Sequence, residues 1–145
     1  MPGAHLGRRF VTSLSGAPPA ARDVAWAGEH LGPGERALWD RMSAADRRHS
    51  IEVARRFVSR RPAAARVEVA GALLHDVGKI EAGLGTFGRV VATVVGPRTA
   101  RFRRYHDHEA IGAGLAAAAG ADPVTVALVA GSGPAAADLR AADDV

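Results

Sequence analysis

The stretch from residue 66 to residue 79 reads RVEVAGALLHDVGK, and it leads from an apolar helix into a pair of ionisable residues. Its apolar positions follow the i, i+1, i+4, i+5, i+8 spacing of a buried helical stripe: Val69, Ala70, Leu73, Leu74 and Val77. His75 and Asp76 stand at the end of this stripe, where burying charged groups is costly unless they gain a partner or a metal ion. At a helix end both side chains can turn onto one ion, and imidazole and carboxylate suit divalent first-row metals.

The N-terminal part of the chain predicts further helices with short connections. The proline pair at 18–19 begins a helix that ends at the Gly-Pro-Gly of residues 32–34, and a short helix holds residues 37–42. Ser43, with an aspartate three residues on, is the predicted N-cap of the next helix. Pro62 then begins the helix that carries the apolar stripe.

The C-terminal part continues the helical pattern. The apolar, β-branched segment 84–95 could locally be a strand, but it has no partner strand, so it is predicted as a helix. A long helix covers 98–119 and ends at Gly120, a short helix follows Asp122, and Pro134 begins the last one. Together these patterns predict an all-α fold, a compact bundle of about seven helices.

Composition supports this fold class. The 145 residues suffice for one ordinary domain, and 48% are apolar while 5% are aromatic, so Ala, Val and Leu must build closely packed helices. There is no cysteine, which removes disulfides and thiolate metal sites. No apolar run reaches the roughly 20 residues that span a bilayer, so no membrane association and a cytoplasmic location are expected. The net charge of +4 favours anionic partners.

The His-Asp pair, followed by Val-Gly-Lys, resembles the signature of the HD-domain superfamily of metal-dependent phosphohydrolases, whose pattern is a lone His, a His-Asp pair and a distant Asp. His49 supplies the lone histidine, 26 residues before His75, and Asp143 the distant aspartate, 67 residues after Asp76. Nothing local separates Asp143 from Asp144; the family's habit of placing Asp directly after Ala favours Asp143. The resemblance covers residues 35–145 and implies an HD-like domain there, with residues 1–34 as an N-terminal extension packed on it.

The resemblance also implies a mechanism. His49, His75, Asp76 and Asp143 would hold one divalent cation. Four ligands fill a tetrahedral zinc site, whereas six-coordinate ions keep positions for water and a phosphate oxygen. Manganese, iron, cobalt or nickel are therefore favoured, and magnesium is possible. Asp76 would orient the water or act as its base, and Lys79 would neutralise the phosphate.

Each of these residues also has a purely structural interpretation. Alone, His49 would be a surface histidine of a helix, and His75 with Asp76 would be a helix end with an ion pair. Lys79 would be an ordinary lysine at a helix end. The combination of all these residues is what favours the metal site.

Two further residues are candidates for substrate binding. Arg48 flanks His49 and could reach substrate. His108, a few residues before Gly112-Ala113, matches a position of two-metal relatives, but the histidines that those relatives carry on the next helix are replaced here by residues 130–133, Ala-Gly-Ser-Gly. His108 is thus interpreted as a substrate contact or a partner of a ligand rather than as part of a second metal site.

Three functions remain open from the sequence. The leading one is hydrolysis of a phosphoester of a small nucleotide-like substrate. The second is a degenerate HD domain that binds a metal or nucleotide without turnover. The third, nucleic-acid binding through the arginine pairs at 55–56 and 60–61 and the arginines between 98 and 104, lacks any accompanying motif and is the least favoured. The oligomeric state does not follow from the sequence.

Overall fold

The computed structural model describes residues 16–82 and 100–144, which form helices and, within these ranges, no strand. The helices are α1 (Ala21–His30), α2 (Pro33–Asp40), α3 (Ala44–Arg60), α4 (Arg66–Leu74), α5 (Lys79–Ala82), α6 (Ala100–Ala118), α7 (Pro123–Val129) and α8 (Ala136–Asp143). The all-α prediction is confirmed. The helix predicted over 84–95 lies outside the described residues, and none of the described helices is long and apolar enough to cross a membrane.

Helix α4 lies at the centre and packs against α1, α2, α3 and α7. Every residue from Glu68 to Leu74 is buried. The sequence predicted burial of one face of this helix, but the helix is buried around its whole circumference. A helix that is apolar on all sides is typically buried in this way. Gly71 makes this possible on one side, since a side chain there would press on Leu128 of α7.

The first turns of two helices differ from the prediction. Helix α4 begins at Arg66 rather than at Pro62, because the carboxylate of Glu68 accepts a hydrogen bond of 2.9 Å from the backbone N–H of Ala65 and so caps the helix there. Helix α8 begins at Ala136, just beyond the predicted Pro134. In both cases the prolines lie in the preceding turn.

Other predicted helix ends are confirmed. The Ser43 hydroxyl accepts a bond of 3.1 Å from the N–H of Asp46, and Asp122 caps α7 through the N–H of Val124 at 2.9 Å. Gly120 follows α6 with a φ of +84°, a left-handed conformation that glycine adopts without a steric penalty.

Helix α8 packs against α3 with Ala136, Leu139 and Ala142 buried, and arginines add polar contacts. The Nε of Arg56 donates a 2.7 Å hydrogen bond to the carbonyl oxygen of Ala142. Arg60 and Arg61 pair with the carboxylate of Asp138, at 3.6 and 3.3 Å, and Arg61 also pairs with Glu68 at 3.2 Å. The last helix is therefore tied to the bundle close to both of its ends.

At the other end of the described chain, α1 packs on α4 and on α3. Asp23 of α1 pairs with Arg55 of α3 at 2.8 Å, and the Arg55 guanidinium lies 4.3 Å from the ring centre of Trp26. Ala27 and Leu31 are buried in the core. Helix α1 is thus part of the same packed core.

Candidate metal centre

Three helices bring four potential metal ligands together. His49 lies in the middle of α3, His75 and Asp76 directly follow α4, and Asp143 is the last residue of α8. One ligand atom of each residue lies within 4.8 Å of the others. The cluster forms because α3 packs against both α4 and α8, so that residues distant in sequence meet at the end of α4.

The shortest separations run between a histidine and a carboxylate. The Nε2 of His49 lies 3.1 Å from Oδ1 of Asp143 and 4.0 Å from Oδ2 of Asp76. The Nε2 of His75 lies 3.3 Å from the same oxygen of Asp76 and 3.4 Å from the same oxygen of Asp143. Each imidazole therefore faces both carboxylates, and the two rings are tilted by 54° with centres 6.0 Å apart.

The tautomer of His75 points its free lone pair into the cluster. Its Nδ1 lies 2.7 Å from the carbonyl oxygen of Ala72, which can only accept, so Nδ1 carries a proton. Its Nε2 is buried and makes no hydrogen bond of good geometry, although two carboxylate oxygens are near. A lone pair facing two carboxylates repels them unless a proton or a metal ion lies between them. Backbone fixation of the other ring nitrogen is the usual arrangement of a histidine that binds metal.

The spacing of the cluster also fits a metal ion. Two ligands that bind one ion at about 2.1 Å lie at most about 4.2 Å apart. The histidine–carboxylate distances of 3.1 to 4.0 Å satisfy this limit, while the outer value of 4.8 Å requires small side-chain shifts. Two imidazoles and two carboxylates are a donor set suited to manganese, iron, cobalt or nickel.

The cluster shifts the pKa values of its members in the directions that stabilise opposite charges. Burial alone would lower the pKa of His75, but the negative carboxylates of Asp143 and Asp76 beside its Nε2 outweigh it and raise that pKa to about 10. Burial would raise the pKa of Asp76, yet His75 and Lys79 lower it to about 2. The hydrogen bond with His49 and the nearby His75 imidazole hold the pKa of Asp143 well below its usual range. Without metal, a proton on His75 takes the place of the cation.

The cluster forms part of the wall of a cavity of about 620 Å³, a volume typical of small-molecule sites. Lys79 also lines it, with its Nζ 3.4 Å from Oδ2 of Asp76. The rest of the wall combines polar side chains with aliphatic ones: His108, Glu109, Arg140, Asp144, Leu128, Val129, Ala136 and Leu139. An anionic ligand of small-molecule size could reach the metal ligands and at least two cations from this cavity.

The approach of α6 to the cavity depends on Gly78. Gly78 is buried in the turn after Asp76, and a Cβ there would overlap the backbone carbonyl of His108. Glycine therefore lets α6 come close enough for His108 and Glu109 to reach the cavity wall. Gly78 thus positions one side of the site.

The structure gathers most of the predicted site residues. The four predicted ligands converge, and Lys79 and His108 line the cavity beside them. Asp143, not Asp144, belongs to the cluster, although both line the cavity.

Arg48 is not brought into this cavity. Its guanidinium donates to the carbonyl of Ala17, and its side chain lines a separate groove together with Arg22 and Glu52. The reason is helical geometry: neighbouring residues of a helix point about 100° apart, so Arg48 cannot share the direction of His49.

Two cavity residues were missed by the sequence reasoning. Arg140 precedes Asp143 by three residues, so once Asp143 is accepted as a ligand, helical spacing places Arg140 on the same face. Glu109 directly follows His108, and its carboxylate packs against Gly131, which has a φ of +85°. No pattern in the sequence marks Glu109.

No protein-family model, curated protein or solved structure matches this chain. What the site can do follows from its own residues and their geometry.

Proposed function

We propose that this protein is a metal-dependent phosphohydrolase with an HD-type site that cleaves a phosphoester of a small nucleotide-like substrate. The observation that carries the proposal is the convergence of His49, His75, Asp76 and Asp143 on the wall of a small-molecule cavity that also contains cations. The Nε2 of His75 is buried, makes no hydrogen bond of good geometry and faces two carboxylate oxygens, an arrangement that supports a cation bound between them.

A divalent ion held by these four side chains, with manganese, iron, cobalt or nickel favoured over magnesium, would acidify a water molecule and polarise a phosphoryl oxygen. Asp76 orients that water and accepts its proton. Lys79, beside Asp76, offsets the charge of the phosphate. The water oxygen bonds to phosphorus as the ester P–O bond breaks; one water proton goes by way of Asp76 to the leaving oxygen, and the other stays on the phosphate. His75 is held in orientation by Ala72 throughout.

A second candidate is a domain that binds metal or nucleotide without turnover. The observation that favours it is the stretch 130–133, where two-metal relatives of the resembled family carry histidines and this chain has two glycines with positive φ, Gly131 and Gly133. Nucleic-acid binding is not proposed, because Arg55, Arg60 and Arg61 are each paired with a carboxylate of the chain itself.

The proposal is tested by metal analysis of the purified protein after exposure to manganese, cobalt or nickel, with His75→Ala as the site variant. His30→Ala is the matched control, since His30 hydrogen-bonds within α1 to the carbonyl of Trp26 and does not line the cavity. We expect about one equivalent of metal in the wild type and in the control, and none in His75→Ala.

The loaded protein is then assayed with phosphomonoesters, phosphodiesters and nucleotides. Hydrolysis that needs the metal and is lost in His75→Ala supports the phosphohydrolase. Metal binding without hydrolysis of any of these substrates would favour the second candidate. Absence of metal uptake would contradict both metal-based functions.

A further inference from the structure

One cation of the cavity is placed by the same helix that carries the last metal ligand. Arg140 lies one turn before Asp143 on α8, and residues three apart share a helix face. Both line the cavity. A group that reaches the metal cluster from the cavity therefore also lies within the range of the long Arg140 side chain.

The charge of Arg140 is not matched by a carboxylate of the described chain. Its guanidinium makes one long hydrogen bond, 3.4 Å from NH1 to the carbonyl oxygen of Gly131. Glu109 and Asp144, the acidic residues of the cavity outside the cluster, do not pair with it. Since a guanidinium has five N–H donors, Arg140 retains most of its capacity for a ligand.

The other cations near the site are already engaged. Lys79 lies 3.4 Å from the carboxylate of Asp76, so part of its charge is used within the cluster. Arg60 and Arg61, which also contact α8, share Asp138. Arg140 is therefore the cavity cation with the least competition from the carboxylates of the described residues.

The number of terminal oxygens on a phosphate group determines whether it can contact Arg140 and the metal cluster at the same time. A guanidinium binds phosphate best through two parallel N–H···O bonds. A phosphomonoester has three terminal oxygens, so two can bind Arg140 while the third faces the metal cluster. A phosphodiester has only two, and one of the two interactions must be given up.

We infer that Arg140 is a substrate-binding residue that holds the terminal phosphate of the substrate, and that the site is specific for phosphomonoesters over phosphodiesters. This rests on the proposed metal-dependent function and narrows its substrate class. The reaction is that of the preceding section, with an alcohol and inorganic phosphate as products.

The test combines binding and kinetics on manganese-loaded protein. Calorimetry measures the affinity for inorganic phosphate, and rates are measured with p-nitrophenyl phosphate and bis(p-nitrophenyl) phosphate. The variants are Arg140→Ala and Arg140→Lys, which keeps the charge but not the fork of donors. Arg36→Ala is the control, because Arg36 forms an exposed pair with Asp40 within α2 and does not line the cavity.

We expect Arg140→Ala to weaken phosphate binding and to raise KM for the monoester by about tenfold or more, the usual consequence of losing hydrogen bonds to a charged group. Arg140→Lys should recover part of the loss. The diester rate should change less than the monoester rate, and Arg36→Ala should stay within about twofold of the wild type.

The outcomes separate this inference from the proposed function. Phosphate binding that depends on Arg140, without hydrolysis, would keep the Arg140 site and overturn the hydrolase. Hydrolysis that proceeds with an unchanged monoester KM in Arg140→Ala would keep the hydrolase and overturn the inference. Wild-type protein that binds no phosphate, or an equal loss for monoester and diester, would also overturn it. Arg140 is exposed, and Arg140→Lys provides a second variant if truncation impairs folding.

Discussion

Helices α4 and α8 both end at the metal cluster, but they are held there by different forces. Residues Glu68 to Leu74 of α4 are all buried, so packing on every side fixes the position of His75 and Asp76. Helix α8 buries Ala136, Leu139 and Ala142 in the core but is otherwise partly exposed, and arginines at the α3 side fasten it further through the Ala142 carbonyl and the Asp138 carboxylate. One side of the site thus depends on a helix that is packed all round, and the other on a helix that combines one buried face with polar contacts near the surface.

Because of this difference, substitutions in α4 should chiefly change the stability of the fold, whereas substitutions in α8 should chiefly change the affinity for metal. Loss of an α4 core contact should lower the free energy of unfolding of the entire bundle, because apolar burial is the main stabilising force. Loss of an α8 contact should chiefly let Asp143 move, since a single polar contact near the surface contributes little to global stability. Four experiments test this difference.

The largest effect is expected at the α8 ligand itself. Asp143→Ala removes one of four ligands and should lower the affinity for manganese by more than about 100-fold, beyond what loss of a supporting contact causes. Asp144→Ala is the matched neighbour, because Asp144 lines the cavity without belonging to the cluster. Calorimetric titration with manganese measures both. Equal losses in the two variants would show that the ligand assignment on α8 is wrong.

The pH dependence should be large as well. In the metal-free protein the pKa of His75 is raised from 6.5 to about 10, so its contribution to stability is complete below pH 6.5 and is lost as the pH rises through about 10. The pKa of Asp76 is lowered from 3.8 to about 2, so its contribution is present above pH 3.8 and is lost as the pH falls through about 2. We expect the Tm of the metal-free protein to decrease from pH 6.5 toward 10.

Metal should reverse this alkaline decrease, because it binds the neutral imidazole and competes with the proton on His75. The apparent affinity for nickel should therefore rise with pH over the same interval. Thermal melts with and without nickel across this range measure both effects, and His75→Gln serves as the variant without the titrating group. A metal-free Tm that stays constant from pH 6.5 to 10 in the wild type would contradict the assigned His75 interactions.

A core truncation on α4 should affect stability more than the site. Leu73 has no exposed surface, and Leu73→Ala should cost about 2–5 kcal/mol in the free energy of unfolding. Urea titration measures it, with Val124→Ala as the control because 46% of Val124 is exposed. Under conditions where Leu73→Ala is folded, it should still bind one equivalent of metal. A cost below about 1 kcal/mol would mean that α4 is not the packed centre.

The smallest effect is expected at the polar fastening of α8. Arg56→Ala removes the hydrogen bond to the Ala142 carbonyl, one residue before Asp143. It should lower manganese affinity by roughly tenfold, as for other groups that support a ligand. Its cost in stability should stay near 1 kcal/mol. Arg36→Ala is the control, since Arg36 forms an exposed pair with Asp40 within α2. If both variants bind metal like the wild type, Asp143 is held by other contacts.

The fold class could be predicted because it depends on local patterns, and the four clustered residues were predicted from the resemblance to the HD pattern. The N-cap at Ser43, the helix end at Gly120 and the helix start at Asp122 were predicted from residue types whose short-range chemistry specifies a helix end. The start of α4 was predicted at Pro62, which is wrong. The cap formed by Glu68 competes with the helix-start signal of Pro62, and only the structure shows which of the two determines the boundary.

By itself, then, the sequence determined that the chain is helical, that an apolar helix ends in His75-Asp76, and that His49 and one of two terminal aspartates were available to join them. The tertiary structure decided between Asp143 and Asp144, kept Arg48 away from the cavity and brought Arg140 into it. The physical reason is that helical periodicity fixes which residues share a face, whereas the partner of that face depends on how helices distant in sequence pack.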